Sequence, residues 1–248
     1  MKYKKIIKIA VLAIFLAIFL FSGYKVVSTL VSYKQSENVY SEIAKNAVTV
    51  KDISDEQAKT EAPISINFDL LKSQNKDIVG WLYLPGTEIN YPVLKGDDNQ
   101  EYINKMFNGQ KNRAGSLFAD YRLGNIENSY NYVIYGHSMK NDSMFGTLKD
   151  FLNQEYFNEH QVFYYLTPEK SYIIKVHSGF ITPADSNAYK LNHNDESLAK
   201  YMAEAKKKSS FKSSVEYKDG DRIMTLSTCA YNYEDARYDV IGIIEELK

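Results

Sequence analysis

Cys229, the only cysteine among 248 residues, lies in the run RIMTLSTCAY (residues 222–231). A thiolate is a strong nucleophile, so this residue is where chemistry is first sought. A lone cysteine also reads as a chance buried hydrophobe or an intermolecular link. In an extended strand alternate side chains share a face, which sets Ile223, Thr225, Ser227 and Cys229 on one side and Met224, Leu226 and Thr228 on the other. The loop NYEDA (232–236) follows, and Arg237 opens RYDVIGII. Antiparallel neighbours joined by so short a loop bring Arg237 back to Cys229 at one sheet edge. A guanidinium there stabilises negative charge on sulfur or on a developing oxyanion. The acid–base partner must come from the four histidines. His137 ends the apolar run YVIYG and begins a polar loop, the position where a rigid scaffold presents reactive groups. His177 shares the face of Lys175, His160 sits in a polar linker and His193 precedes a helix; these read as satisfied or simply exposed side chains. None makes a metal-ligand spacing with another histidine or with Cys229, which argues against a zinc site.

The elements that must position these residues are mostly strands. The 21 tyrosines and 12 phenylalanines against five prolines suit half-buried pleated surfaces. Short strand-like runs follow one another from Ile78: IVGWLYLPG and EINYPVLKG around the Pro85-Gly86 turn, then SLFAD, YVIYG, QVFYYLT, SYIIKVHSGFIT, RIMTLSTCA and RYDVIGII. Seven or eight such strands with few long helices between them favour a closed or nearly closed β-barrel. One helix interrupts the series over 194–209. It has Asp195 and Glu196 in its first turn, Lys206 to Lys208 in its last, and Leu198, Tyr201, Met202 and Ala205 at helical spacing. Upstream, Asn67 offers an N-cap to a short helix ending near Asn75. The stretch from Val26 to about Ala62 reads as one or two helices.

The N-terminus places the rest of the chain. Ile9 to Tyr24 carries no charge, and Lys2, Lys4, Lys5 and Lys8 crowd its leading side. That is the length and charge asymmetry of a spanning helix with a cytoplasmic N-terminus and an exported remainder. A cleaved signal peptide is the other reading; the apolar run is long for one, and no small-x-small site follows it. A formal net charge of -1 removes the electrostatic case for nucleic-acid binding.

Taken together, TLSTC, YGH and Arg237 resemble the sortases, and among them the class B branch. The resemblance extends over the N-terminal anchor and lead-in, DIVGWLYLPGTEINYPVL, the segment from Gly115 to Arg122, YGHSM, and the helix at 194–209. It implies a mostly β fold: an eight-stranded barrel with an N-terminal helical extension and a helix inserted between strands six and seven. Its segments would be a stub and transmembrane anchor at 1–25, a lead-in at 26–76 and a catalytic barrel at 77–248. It also implies catalytic roles for Cys229, His137 and Arg237, and substrate contacts at Ser227 and Thr228, with Tyr189 or Tyr201 as further groove candidates. The implied reaction cleaves a C-terminal sorting motif after threonine in another exported protein. The acyl group then passes to an amine of the cell-wall peptide, with no cofactor and no metal. Two other readings stand beside it. L,D-transpeptidases place glycine before the cysteine and arginine two residues after it, where this chain has Thr228 and Tyr231. A non-catalytic anchored surface protein would bury Cys229 as an inert strand residue.

Overall fold

In the computed structural model, which describes residues 2–54, 56–230 and 232–247, the strands foreseen from the sequence close into one barrel. Met1 and Lys248, the outer ends of the expected anchor and catalytic segments, lie outside the described residues, as does Tyr231.

A single helix, α1 (Lys2–Ala47), leads in. Its apolar side chains from Ile6 to Val31 are exposed, and it is long and apolar enough to cross a membrane. Beyond it the structure departs from the helical expectation. Val48–Val50 (β1) and Ile64–Ile66 (β2) pair as a small antiparallel sheet, with Val48 opposite Ile66. The β-branched side chains of VTV and ISI favour extended backbone, and Pro63 cannot sit inside a helix. Helix α2 (Phe68–Gln74) then starts where Asn67 caps it, its side chain accepting from the Leu70 N–H at 3.0 Å.

The barrel strands are β3 (Ile78–Tyr83), β4 (Asn90–Leu94), β5 (Leu117–Ala119), β6 (Asn131–Tyr135), β7 (Val162–Leu166), β8 (Ser171–Pro183), β9 (Arg222–Cys229) and β10 (Ala236–Glu246). Around the barrel they run β10-β8-β7-β3-β4-β5-β6-β9, and β10 closes back onto β9. Two contacts are parallel, β4 with β5 and β6 with β9; the rest are antiparallel. A short helix, α3 (Gln154–Glu159), precedes β7. Helix α4 (Asp195–Lys208) lies between the sixth and seventh barrel strands and buries the four residues read from its spacing, Leu198, Tyr201, Met202 and Ala205. Its N-terminus carries a reciprocal cap between Asn194 and Ser197.

The alternation foreseen along β9 is visible in the packing. Met224 and Leu226 enter the main core with Trp81 and Leu82, while Ile223 joins Ile241, Ile243 and the apolar face of α4 in a second cluster. Each large side chain buried this way contributes on the order of 2 kcal/mol. The face of β9 that carries Cys229 is therefore the one beneath α4 and the β8–β9 connection, not the barrel interior.

Candidate active site

Antiparallel pairing sets Cys229, the last residue of β9, directly opposite Arg237 on β10. Both are half-buried. The turn between them is closed by the Ala230 N–H donating to the Ala236 carbonyl at 2.9 Å, and Asp235 takes φ 57, a conformation its short polar side chain tolerates. Arg237 donates to the Ala236 carbonyl at 3.1 Å. Among the described residues no carboxylate forms an ion pair with it, so the rest of its fork is open to a substrate carbonyl.

On the other side of β9 runs β6, parallel, with Tyr135 opposite Ser227. The Gly136 N–H donates to the Ser227 carbonyl (3.1 Å), and the Thr228 hydroxyl donates to the Gly136 carbonyl (2.8 Å). These two bonds carry His137 to the cysteine end of β9. Position 136 requires glycine, because a Cβ there would collide with the side chains of Leu117 and Phe145. The His137 Nε2 lies 2.8 Å from the carbonyl of Ile103. A carbonyl only accepts, so Nε2 holds the proton in the neutral ring and Nδ1 is the nitrogen left to exchange one. Ile103 could not have been found from residue type, since its contribution is a backbone oxygen.

Cys229, His137 and Arg237 line one groove of about 650 Å³, together with Ser227 and Thr228. The segment 184–190 makes one wall; Asn99, Gln100 and Ile103 contribute to another. Tyr189 stacks on Tyr135 (6.0 Å between centroids), and Tyr135 packs on Phe118 (5.4 Å), an aromatic ladder along the groove. Arg122, also at the groove, donates through Nε and Nη2 to both oxygens of Asp120 at 2.8 and 2.7 Å. Burial opposes ionisation of Asp120, but the Arg122 fork and donations from Asn99 and Tyr135 outweigh it and hold the carboxyl below its ordinary range.

Of the two tyrosines considered, Tyr189 reaches the groove. Tyr201 is buried on α4 and lines a separate, smaller cavity. The remaining histidines stay outside the groove: His177 and His193 are buried against Ser178 and Ser197, and His160 packs on Tyr156. Burial holds His177 down at about 4. No group of three metal-binding side chains occurs among the described residues.

Sequence reading missed Asp239. It is fully buried, opposite Ser227 in register, and its Oδ1 accepts from the Tyr189 hydroxyl at 3.0 Å. Burial pushes its pKa up to about 7, against the opposing pull of Ser227, Tyr189 and Arg237. A carboxyl raised in the folded state favours the protonated native form, so its stabilising contribution is present below about pH 4 and is lost as pH rises through 7. Wild type should therefore lose up to ~4 kcal/mol relative to Asp239→Asn between pH 4 and 8. Denaturant unfolding of both proteins across that range measures it; parallel pH profiles would refute the shift.

The closed barrel brings a cysteine, a histidine and an arginine to one groove, an arrangement suited to thiol-dependent acyl transfer. The sortase domain family matches residues 82–243. Sortase B of Staphylococcus aureus is 31% identical over 249 residues, covering 100% of this chain and 99% of that protein. Among solved structures, a Staphylococcus aureus sortase B–substrate complex aligns with a TM-score of 0.69 and 35% identity, over 73% of this chain and 85% of that one. A sortase B complexed with triglycine gives a TM-score of 0.69 and 36% identity, over 73% and 86%. The chain belongs to the sortase family, whose members are cysteine transpeptidases, and its relatives are of the B type.

Proposed function

We propose that this protein is a membrane-anchored transpeptidase. It cleaves a C-terminal sorting motif after threonine in exported proteins and transfers the acyl group to a peptidoglycan amine, attaching the protein to a Gram-positive cell wall. The observation that carries the reading is the facing pair Cys229–Arg237, with His137 delivered to the same strand end and all three opening on one groove. The substrate-bound and triglycine-bound relatives support an acyl peptide and an amine as the two reactants. The apolar α1 supports the anchor, and the lysines before it support a cytoplasmic N-terminus with the barrel outside.

The Cys229 thiol yields its proton to His137 Nδ1 as the sulfur attacks the threonine carbonyl carbon, and the carbonyl electrons move onto oxygen, where the Arg237 guanidinium donates to the oxyanion. Collapse breaks the C–N bond. The leaving amine takes a proton from His137, and the peptide remains as a thioester on Cys229. An incoming amine then adds to the thioester and gives His137 a proton; the new amide departs, and the Cys229 sulfur takes that proton back as the resting thiol. Holding Nε2–H on the Ile103 carbonyl keeps Nδ1 as the exchanging atom throughout. Ser227 and Thr228 contact the acyl peptide from the groove.

The full-length chain in detergent, mixed with quenched-fluorescence peptides varied around x-P-x-T-x, tests this directly. Intact mass measurement should show a Cys229-linked acyl adduct that an added oligoglycine discharges into a new amide. Cleavage with no thioester and no amine transfer would leave only hydrolysis by another route and reject the mechanism.

A further inference from the structure

The reaction above uses no atom of Asp239, yet this carboxyl sits in a buried polar cluster beside the groove. The Tyr189 hydroxyl donates to Asp239 Oδ1 (3.0 Å), so the Ser227 hydroxyl, 3.0 Å from the tyrosine oxygen, donates to that oxygen in turn. Tyr201 on α4, Tyr135 on β6, and Tyr238 and Arg237 on its own strand are other ionisable groups that Asp239 feels electrostatically. Asp239 Oδ2 and the Tyr201 hydroxyl are buried without a hydrogen-bond partner. A carboxyl satisfied on one oxygen only is a poor way to fill a core, where an apolar residue of similar size packs at lower cost. Its value must lie in what the satisfied oxygen holds.

What it holds is a side chain of the groove wall. The wall's backbone is already fixed by Asn131, whose amide donates to the carbonyls of Ala188 (2.8 Å) and Lys190 (3.3 Å). Both of these bonds end on backbone carbonyls and neither is to the Tyr189 side chain. That ring is set by the stack on Tyr135 and by the hydroxyl bond to Asp239 beneath the groove floor. We infer that Asp239 is a positioning residue for the acyl-peptide groove: it clasps Tyr189 and Ser227 together and so fixes the channel between the 184–190 wall and β9. It touches no reacting atom, so its effect falls on substrate binding rather than on the bond-making steps. The inference rests on the transpeptidase reading of the groove.

Steady-state kinetics of the full-length chain separate the two claims, because wild-type turnover of a sorting peptide tests the reading and the variants test the clasp. Asp239→Ala removes the acceptor and should raise KM roughly tenfold, the cost of one buried hydrogen bond, with kcat within about twofold of wild type. Asp239→Asn keeps an acceptor oxygen and should bring KM back to within about threefold of wild type. Tyr189→Phe deletes only the hydroxyl and should reproduce most of the rise in KM; it decides the question alone should Asp239→Ala not fold. Unchanged KM in Tyr189→Phe, or a loss confined to kcat, overturns the assignment.

Discussion

Cys229→Ala should reduce peptide cleavage by roughly 10⁴-fold or more while leaving the fold intact. The size of the loss follows from what remains. The hydroxyls of the two preceding residues are already engaged, Ser227 with Tyr189 and Thr228 with the Gly136 carbonyl, and neither is oriented as a substitute nucleophile. Arg237 and His137 would persist, but without a nucleophile they have no oxyanion to stabilise and no amine to protonate. Stability should move little, because Cys229 is half-buried at a strand end and its sulfur fills no closed core space. Matched thermal melts and a fluorescent peptide assay measure both quantities. Cleavage that survives in the alanine variant would place the chemistry elsewhere.

Arg237→Lys is the sharper test, because charge is conserved and only geometry is lost. The register holds position 237 opposite position 229, so a lysine would reach the same region with one ammonium in place of a planar fork. Among the described residues Arg237 bonds only to the Ala236 carbonyl, which leaves most of its donors for a carbonyl that becomes an oxyanion. Losing such a donor costs roughly 10²- to 10³-fold in kcat, with a smaller change in KM. Near-wild-type turnover in the lysine variant would reduce Arg237 to a local charge.

Much of the barrel was legible because its strands are short, alternating and punctuated. The runs from IVGWLY to RYDVIGII correspond to β3 through β10, and α4 begins and ends where its acidic first turn and its closing lysines suggested. The β1–β2 sheet was not legible: three-residue strands carry almost no periodicity, and each is stabilised by a partner more than ten residues away. The closeness of Cys229 and Arg237 could be read from one hairpin, since local chain length dictates it. Asp239 could not be read as a groove support. Nothing in RYDVIGII tells depth from exposure for its one carboxylate, and its partner Tyr189 is 50 positions away. Tyr189 and Tyr201 were indistinguishable as residue types; only the course of the β8–β9 connection sends one to the groove and the other beneath α4.

The unbroken α1 has a mechanical consequence. Its 46 residues make a rod of about 69 Å at 1.5 Å per residue. Thr29, Ser32, Gln35 and Tyr40 fasten that rod to the barrel through Arg113, Asn112, Gln110, Gly115 and Ser116. Such a joint behaves as a lever and not as a leash. If the apolar end is seated in a bilayer, the groove is held at one altitude and one heading and cannot roam. A substrate whose own tail lies in the same bilayer then meets the groove only when the spacing between motif and tail matches that altitude. The helix would act as a gauge of substrate length, a form of selectivity located tens of ångströms from the thiol.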